Sequence, residues 1–236
     1  MPTDSPIVRV DRPLVGLLAL TAVSGIVDAV SLLGLGHVFT ANMTGNVVFL
    51  AFAAVGTPGV SAARSLTSLA AFLGGAAIGG YLARESAGPT RRHWLRLYAA
   101  WEAALMFAAA ITLVALDGDR TALEARQYGA IALLALAMGL RTATVRQLVV
   151  PDLAPTTMIT MTLTGLVADL SLAGSSISHS LRRMASIASL FGGAVLGALL
   201  LRWGPTVPLI VASVCVFVAA AYVVPPATRR ADPIVR

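Results

Sequence analysis

The side chains able to recognise a polar species gather in two short stretches of this chain, Phe39-Thr-Ala-Asn-Met-Thr-Gly-Asn46 and Thr162-Leu-Thr-Gly165. Asp28 lies upstream of the first and Arg141 upstream of the second. Asn42, Thr44 and Asn46 supply amide and hydroxyl groups, as do Thr162 and Thr164, while Gly45 and Gly165 permit a tight turn or a close backbone approach. One carboxylate among hydroxyl and carbonyl oxygens suits a cation or a protonatable group. A guanidinium, or a helix N-terminus aimed at the same place, suits an anion. This is the chemistry of binding rather than of bond-making, because the chain has no G-x-S-x-G, no H-E-x-x-H, no P-loop and no lysine. Asp28 and Asp169 are the one acid–base pair on offer, and nothing in the sequence holds them together. The single Cys215 allows no intramolecular disulfide, and with His37, His93 and His179 it makes no metal-ligand spacing. The expectation is a non-enzyme without metal or cofactor.

The elements that must position these residues are membrane helices. Hydrophobic residues make up 57% of the chain and charged ones 12%, and apolar runs of about twenty residues recur along it. That describes an all-α, polytopic protein, with residues 1–236 as a single integral membrane domain. The first run, 14–35, is too long for the apolar core of a signal peptide and lacks a small-residue cleavage site, so it stays as a helix. The net charge of +6 is carried entirely by arginine. In such a protein it reports orientation in the bilayer rather than nucleic-acid binding.

In chain order, the run 14–35 carries Asp28, and a carboxylate inside a span faces the protein interior by default. The polar stretch then leads into Val47–Val55, which stops at Gly56-Thr-Pro-Gly59. The run 66–82 follows, and its Gly75-x-x-x-Gly79 offers a close-packing face for a homo-oligomer. Trp94, Tyr98 and Trp101 open the run 94–116 as an interfacial anchor, with Glu102 inside it. From Tyr128 the first half repeats. Gly139 answers Gly25, Thr162-Leu-Thr-Gly165 answers Asn42-Met-Thr-Gly45, and Gly192-Gly-Ala-Val-Leu-Gly197 answers Gly74-Gly-Ala-Ala-Ile-Gly79, at separations of 114, 120 and 118 residues. The repeats run over about 14–116 and 128–224.

The arginines choose between two topologies. If every apolar run crosses, there are eight spans, and ten arginines face the cytoplasm against seven outside. If the two Thr-Gly segments (about 38–57 and 152–173) are broken or re-entrant hairpins, six spans remain and the division is thirteen against four, which obeys the positive-inside rule far better. Three spans and one hairpin per half make the halves inverted and pseudo-symmetric, as in many secondary transporters, with both termini cytoplasmic. The expected partners are the lipid bilayer and a small-molecule or ion substrate, bound by Asp28, Asn42, Thr44, Gly45, Asn46, Arg141, Thr162, Thr164 and Gly165. The competing reading makes the chain a scaffold, in which Thr and Asn merely hydrogen-bond neighbouring helices.

In Gly25-x-x-Asp28-Ala29, Phe39-x-x-Asn42-Met43-Thr44-Gly45-Asn46, and Met138-Gly139 followed by Thr162-x-Thr164-Gly165, the chain resembles the YoaK-like family of bacterial membrane proteins. The resemblance covers nearly the whole chain. It implies a multispanning bacterial inner-membrane protein and supplies no substrate. The chain departs from the family pattern at Arg141-Thr142, where the second repeat usually carries a polar amide.

The six-span topology places the loop after Arg84 in the cytoplasm. A Gly88→Cys substitution in a Cys215→Ser background is therefore expected to resist an impermeant maleimide in intact cells and to label after lysis. Ready labelling of intact cells would refute that topology.

Overall fold

The computed structural model describes residues 12–85, 91–114, 120–147, 164 and 177–223. Their secondary structure is helices joined by short turns and one longer non-helical segment, 35–42, with no strand among them. The helices are α1 (Arg12–Gly34), α2 (Met43–Ala54), α3 (Ala62–Glu85), α4 (Arg91–Thr112), α5 (Arg120–Gln147), α6 (Ile177–Leu200) and α7 (Thr206–Val223), with a single 3-10 turn at Leu201–Trp203. Five of them (α1, α3, α4, α5 and α6) are long and apolar enough to cross a bilayer; α2 and α7 are shorter apolar helices. The surface carries large apolar side chains such as Leu73, Tyr81, Phe107, Phe191 and Phe217. On a water-soluble protein such a surface would be an association hazard; here it is what lipid tails cover. The chain is a multi-pass membrane protein.

Local sequence sets the helix ends. Pro13 sits in the first turn of α1, where a missing N–H costs nothing. At the other end the His37 N–H closes back on the Leu32 carbonyl (3.2 Å), with Gly36 at φ 87°, a conformation in which a Cβ is strained. Gly56, at φ 77°, stops α2 in the same way, with its N–H donating to Ala53 O at 3.0 Å.

Four helices form a central ring in which α1 touches α7, α7 touches α4, α4 touches α5, and α5 makes a light contact with α1. Outside it α6 lies along α1, α3 lies along α5, and α2 rests on α3. The core is aliphatic, built on Val23, Ile26, Val27 and Val30 from α1, Met106 from α4, Ile131, Leu134 and Met138 from α5, and Leu209 and Val216 from α7. In the centre of the ring the Ser213 hydroxyl donates to the Ala103 carbonyl at 2.9 Å, tying α7 to α4.

Glycines fix the two outer pairs. A Cβ on Gly75 would strike the Leu136 carbonyl and one on Gly79 would crowd Leu140, while a Cβ on Gly139 would strike the Phe72 carbonyl. Between α1 and α6, a Cβ on Gly193 would meet the Ala22 backbone, one on Gly197 the Ile26 backbone, and one on Gly25 the Leu190 carbonyl. In both pairs the contacts advance together along the two helices, from 75 and 136 to 79 and 140, and from 193 and 22 to 197 and 26. So α3 runs parallel to α5, and α1 runs parallel to α6.

Two expectations are corrected. The Gly75-x-x-x-Gly79 face is consumed inside the chain, against α5, and is not open to a second copy. Tyr98 is buried while Trp101 is exposed, so these two do not form one interfacial belt, because α4 turns its Tyr98 side toward the ring.

Where only backbone faces a glycine, an added side chain has no flexible neighbour to displace. Gly139→Val and Gly193→Val are expected to destabilise by roughly 3 kcal/mol or more, the upper end of overpacking costs. Gly74→Val and Gly192→Val, whose Cβ positions meet nothing within 4 Å, should cost far less. Folded yield and thermal unfolding in detergent measure the contrast.

Candidate functional site

After α1 the chain doubles back. Asp28 lies six residues before the end of α1, about 9 Å at 1.5 Å per residue. Its Oδ1 accepts the backbone N–H groups of Thr40 (3.2 Å) and Ala41 (2.8 Å). The segment 35–42 therefore re-enters beside the helix it has just left, and α2 starts at that depth. The return is equally local: the Arg64 guanidinium, in the first turn of α3, lies against Gly36 at the end of α1, and the Ser68 hydroxyl donates to the Phe39 carbonyl at 2.6 Å. α3 thus begins on the side where α1 ended. Arg64 also donates to Gln127 near the start of α5 (3.0 Å), placing that end on the same side.

The motif residues hold this break in shape. Asn46 is fully buried and reads the peptide of Phe39 at both ends: its Oδ1 accepts the Phe39 N–H (2.9 Å), and its Nδ2 donates to the Phe39 carbonyl (2.7 Å). A side-chain amide has the donor and acceptor geometry of a peptide group, so this pairing replaces the ladder that a helix would have supplied. Gly45 leaves room for the Phe39 ring, which a Cβ there would strike, and that ring stacks on Phe49 with centroids 5.6 Å apart. Asn42 occupies the cap position of α2 without a side-chain capping bond. Asn42 and Thr44 are both exposed.

A second polar cluster crosses the ring. Arg141, from α5, is ion-paired with Glu102 of α4, its Nε donating to Oε1 at 2.6 Å. Nη2 lies against the same oxygen without the alignment of a hydrogen bond. Nη1 donates to the Leu20 carbonyl (2.6 Å) and the Ser24 hydroxyl (2.8 Å) of α1. Arg141 and Glu102 are almost wholly buried, so the pair survives desolvation only because these bonds accompany it. Ser24 lies one turn before Asp28 on α1. Arg141 is thus an interior residue rather than a loop charge.

The structure brings Asp28, Gly45 and Asn46 together at the break, with Asn42 and Thr44 beside them, and places Arg141 about one helical turn away along α1. Thr162 and Gly165 lie outside the described residues; Thr164 is helical and exposed. Sequence reading assigned no role to Ser24 or Ser68 and left Glu102 without a partner. The signal available for Glu102 was the presence of one basic and one acidic residue in otherwise apolar runs, which in hydrocarbon must find each other. Ser24 and Ser68 gave no signal, since serine is common wherever membrane helices pack closely.

A family model described as "Protein of unknown function (DUF1275)" matches residues 16–222. The UPF0700 transmembrane protein YoaK of Bacillus subtilis (strain 168) is 34% identical over 158 residues, covering 67% of this chain and 66% of that protein. The match therefore spans just under two thirds of that relative's length. No solved structure matches. The chain belongs to the DUF1275 family, of which YoaK-like proteins are members.

Removing one member of a buried ion pair strands the other. Arg141→Met or Glu102→Met alone is expected to destabilise by about 3–5 kcal/mol, and the double variant should regain most of it. Asn46→Leu, which strands the Phe39 N–H, should cost about 1–3 kcal/mol. Unfolding of the purified variants in detergent gives all four values.

Proposed function

We propose that the protein is a secondary transporter or channel-like protein for a small polar or charged solute, with its site at the break before α2. The observation that supports this most is the arrangement of the parallel pairs. α1 and α6 run one way, and α3 and α5 run the other, because α3 starts where α1 ends. Matching α1 to α5 and α3 to α6 makes each parallel pair the image of the other: Gly75 on Leu136 corresponds to Gly193 on Ala22, and Gly139 on Phe72 to Gly25 on Leu190. The sequence separations, 114 for the first match and 118 for the second, are those of the repeat. Exchange of up-running and down-running helices is what a pseudo-two-fold axis in the membrane plane would produce, as in the inverted repeats of many secondary transporters.

In that architecture substrates bind where interrupted helices meet, with N-termini and unwound backbone supplying the polar contacts. Here α2 supplies an interrupted helix, and Asn42 and Thr44 at its start are exposed beside Asp28. Asn46 and Gly45 shape the break, while Arg141 braces α1 from behind. The second break, at Thr162, Thr164 and Gly165, completes the site in this reading, with six spans, two hairpins and both termini in the cytoplasm of a bacterial inner membrane. The second reading is a non-transporting scaffold, favoured by the amount of the motif's hydrogen bonding that is spent inside the chain.

A panel of small polar and charged solutes, tested for uptake into reconstituted vesicles, separates the two. Uptake of at least one is expected, with Asp28→Asn lowering its rate at least tenfold while folded yield remains. Absence of uptake across the panel, or an Asp28→Asn variant as active as the parent, would favour the scaffold.

A further inference from the structure

Among the described residues the polar groups of the interior do not balance in charge. Arg141 is committed to Glu102, and that pair is neutral. Asp28 is then a carboxylate that forms no ion pair with any cationic side chain among the described residues. Its compensation consists of the backbone N–H groups of Thr40 and Ala41. A carboxylate has about four lone-pair sites, so these two N–H bonds leave it capacity for a further ligand.

The neighbouring residue shows a matching deficit. Thr40 gives its N–H to Asp28 and is completely buried, and its Oγ1 has no hydrogen-bond partner. Buried hydroxyls are bonded as a rule, and one left without a partner in a dry interior costs free energy comparable to a lost hydrogen bond. Ser65 repeats the pattern: it is fully buried, its hydroxyl is unpartnered, and it lies one turn before Ser68 on the face of α3 that grips the same segment. The segment itself, 35–42, is non-helical; its Asn42 carbonyl accepts the Gly45 N–H and its Phe39 carbonyl accepts Asn46 and Ser68, while Thr40 and Ala41 lie outside any helical ladder.

We propose that Asp28 and Thr40 bind a monovalent alkali cation of the sodium class at the re-entrant segment, with the carboxylate and the Thr40 hydroxyl oxygen as ligands. Carboxylate, hydroxyl and unwound carbonyl oxygens are the donors a hard cation takes, and broken transporter helices use the last of these to hold coupling ions. One carboxylate selects the charge. A monovalent ion neutralises it, whereas a divalent ion would leave a net positive charge inside the bundle. The binding stands on these residues alone. Its role as the coupling ion rests on the transporter reading.

The test is thermal unfolding of the purified full-length protein in detergent, in sodium chloride against choline chloride at equal ionic strength. Sodium at saturating concentration is expected to raise the midpoint by about 5 °C, as a ligand of the native state does. Thr40→Ser should keep that rise. Thr40→Val, which matches threonine in shape, should fold and lose it, and Asp28→Asn should lose it as well. No sodium-specific rise, an equal rise in Thr40→Val, or a rise driven by lowered pH in place of sodium would each overturn the site. Uptake measured separately keeps the two readings apart. Solute accumulation indifferent to sodium, without a thermal shift, removes the cation site and leaves the transporter. A sodium shift that Thr40→Val abolishes, with no solute moved, leaves the site and removes the transporter.

Discussion

A backbone that leaves its helix inside hydrocarbon must find every hydrogen bond from the protein, because no water is there to supply one. At the segment 35–42 three side chains supply such bonds: Asp28 takes N–H groups of Thr40 and Ala41, Asn46 takes both polar groups of Phe39, and Ser68 adds a second donor to the Phe39 carbonyl. Each comes from a different helix, α1, α2 and α3. The break is therefore fixed only when all three helices are in place, and it in turn decides where α2 starts and on which side α3 begins. The direction of α3, and through Gly75 and Gly139 that of α5, depends on it.

Charge in the interior follows the same logic. Arg141 could not be tolerated alone, and it meets Glu102 from α4 and oxygens of α1, so one guanidinium joins three of the four ring helices. Along α3 and α6 the close contacts with α5 and α1 are made by glycines that let backbones touch, with Arg64 of α3 adding a bond to Gln127 of α5.

Much of this was legible in the residues. The apolar runs located α1, α3 and α4 to within a few positions but opened α5 at Tyr128, eight residues late, because its first two turns are polar; the Asp28 and Phe39–Asn46 motif marked the break, because a polar, glycine-containing stretch in such a sequence has few places to be. What the sequence concealed was direction of use. Asn46 reads equally well as a residue facing solute or as one facing backbone, and only its geometry against Phe39 decides. Gly75-x-x-x-Gly79 reads as a contact for any helix, and the partner, α5, is some sixty residues further along the chain. The pairing of Arg141 with Glu102 joins residues 39 apart on different helices, a distance at which no local pattern operates.

The parallel pairing of α1 with α6 has a consequence for the order of synthesis. The two helices are separated by the stretch from Gly34 to Ile177, and at bacterial or eukaryotic elongation rates of about 5–20 residues per second the first waits roughly 7–30 seconds for the second. During that interval Gly25 and Ile26 present a bare groove to lipid. Asp28 does not wait in the same way, since its backbone donors follow it within 13 residues. The nascent chain can thus shelter the Asp28 carboxylate almost as soon as it is made, while the long contact of α1 with α6 is among the last to close.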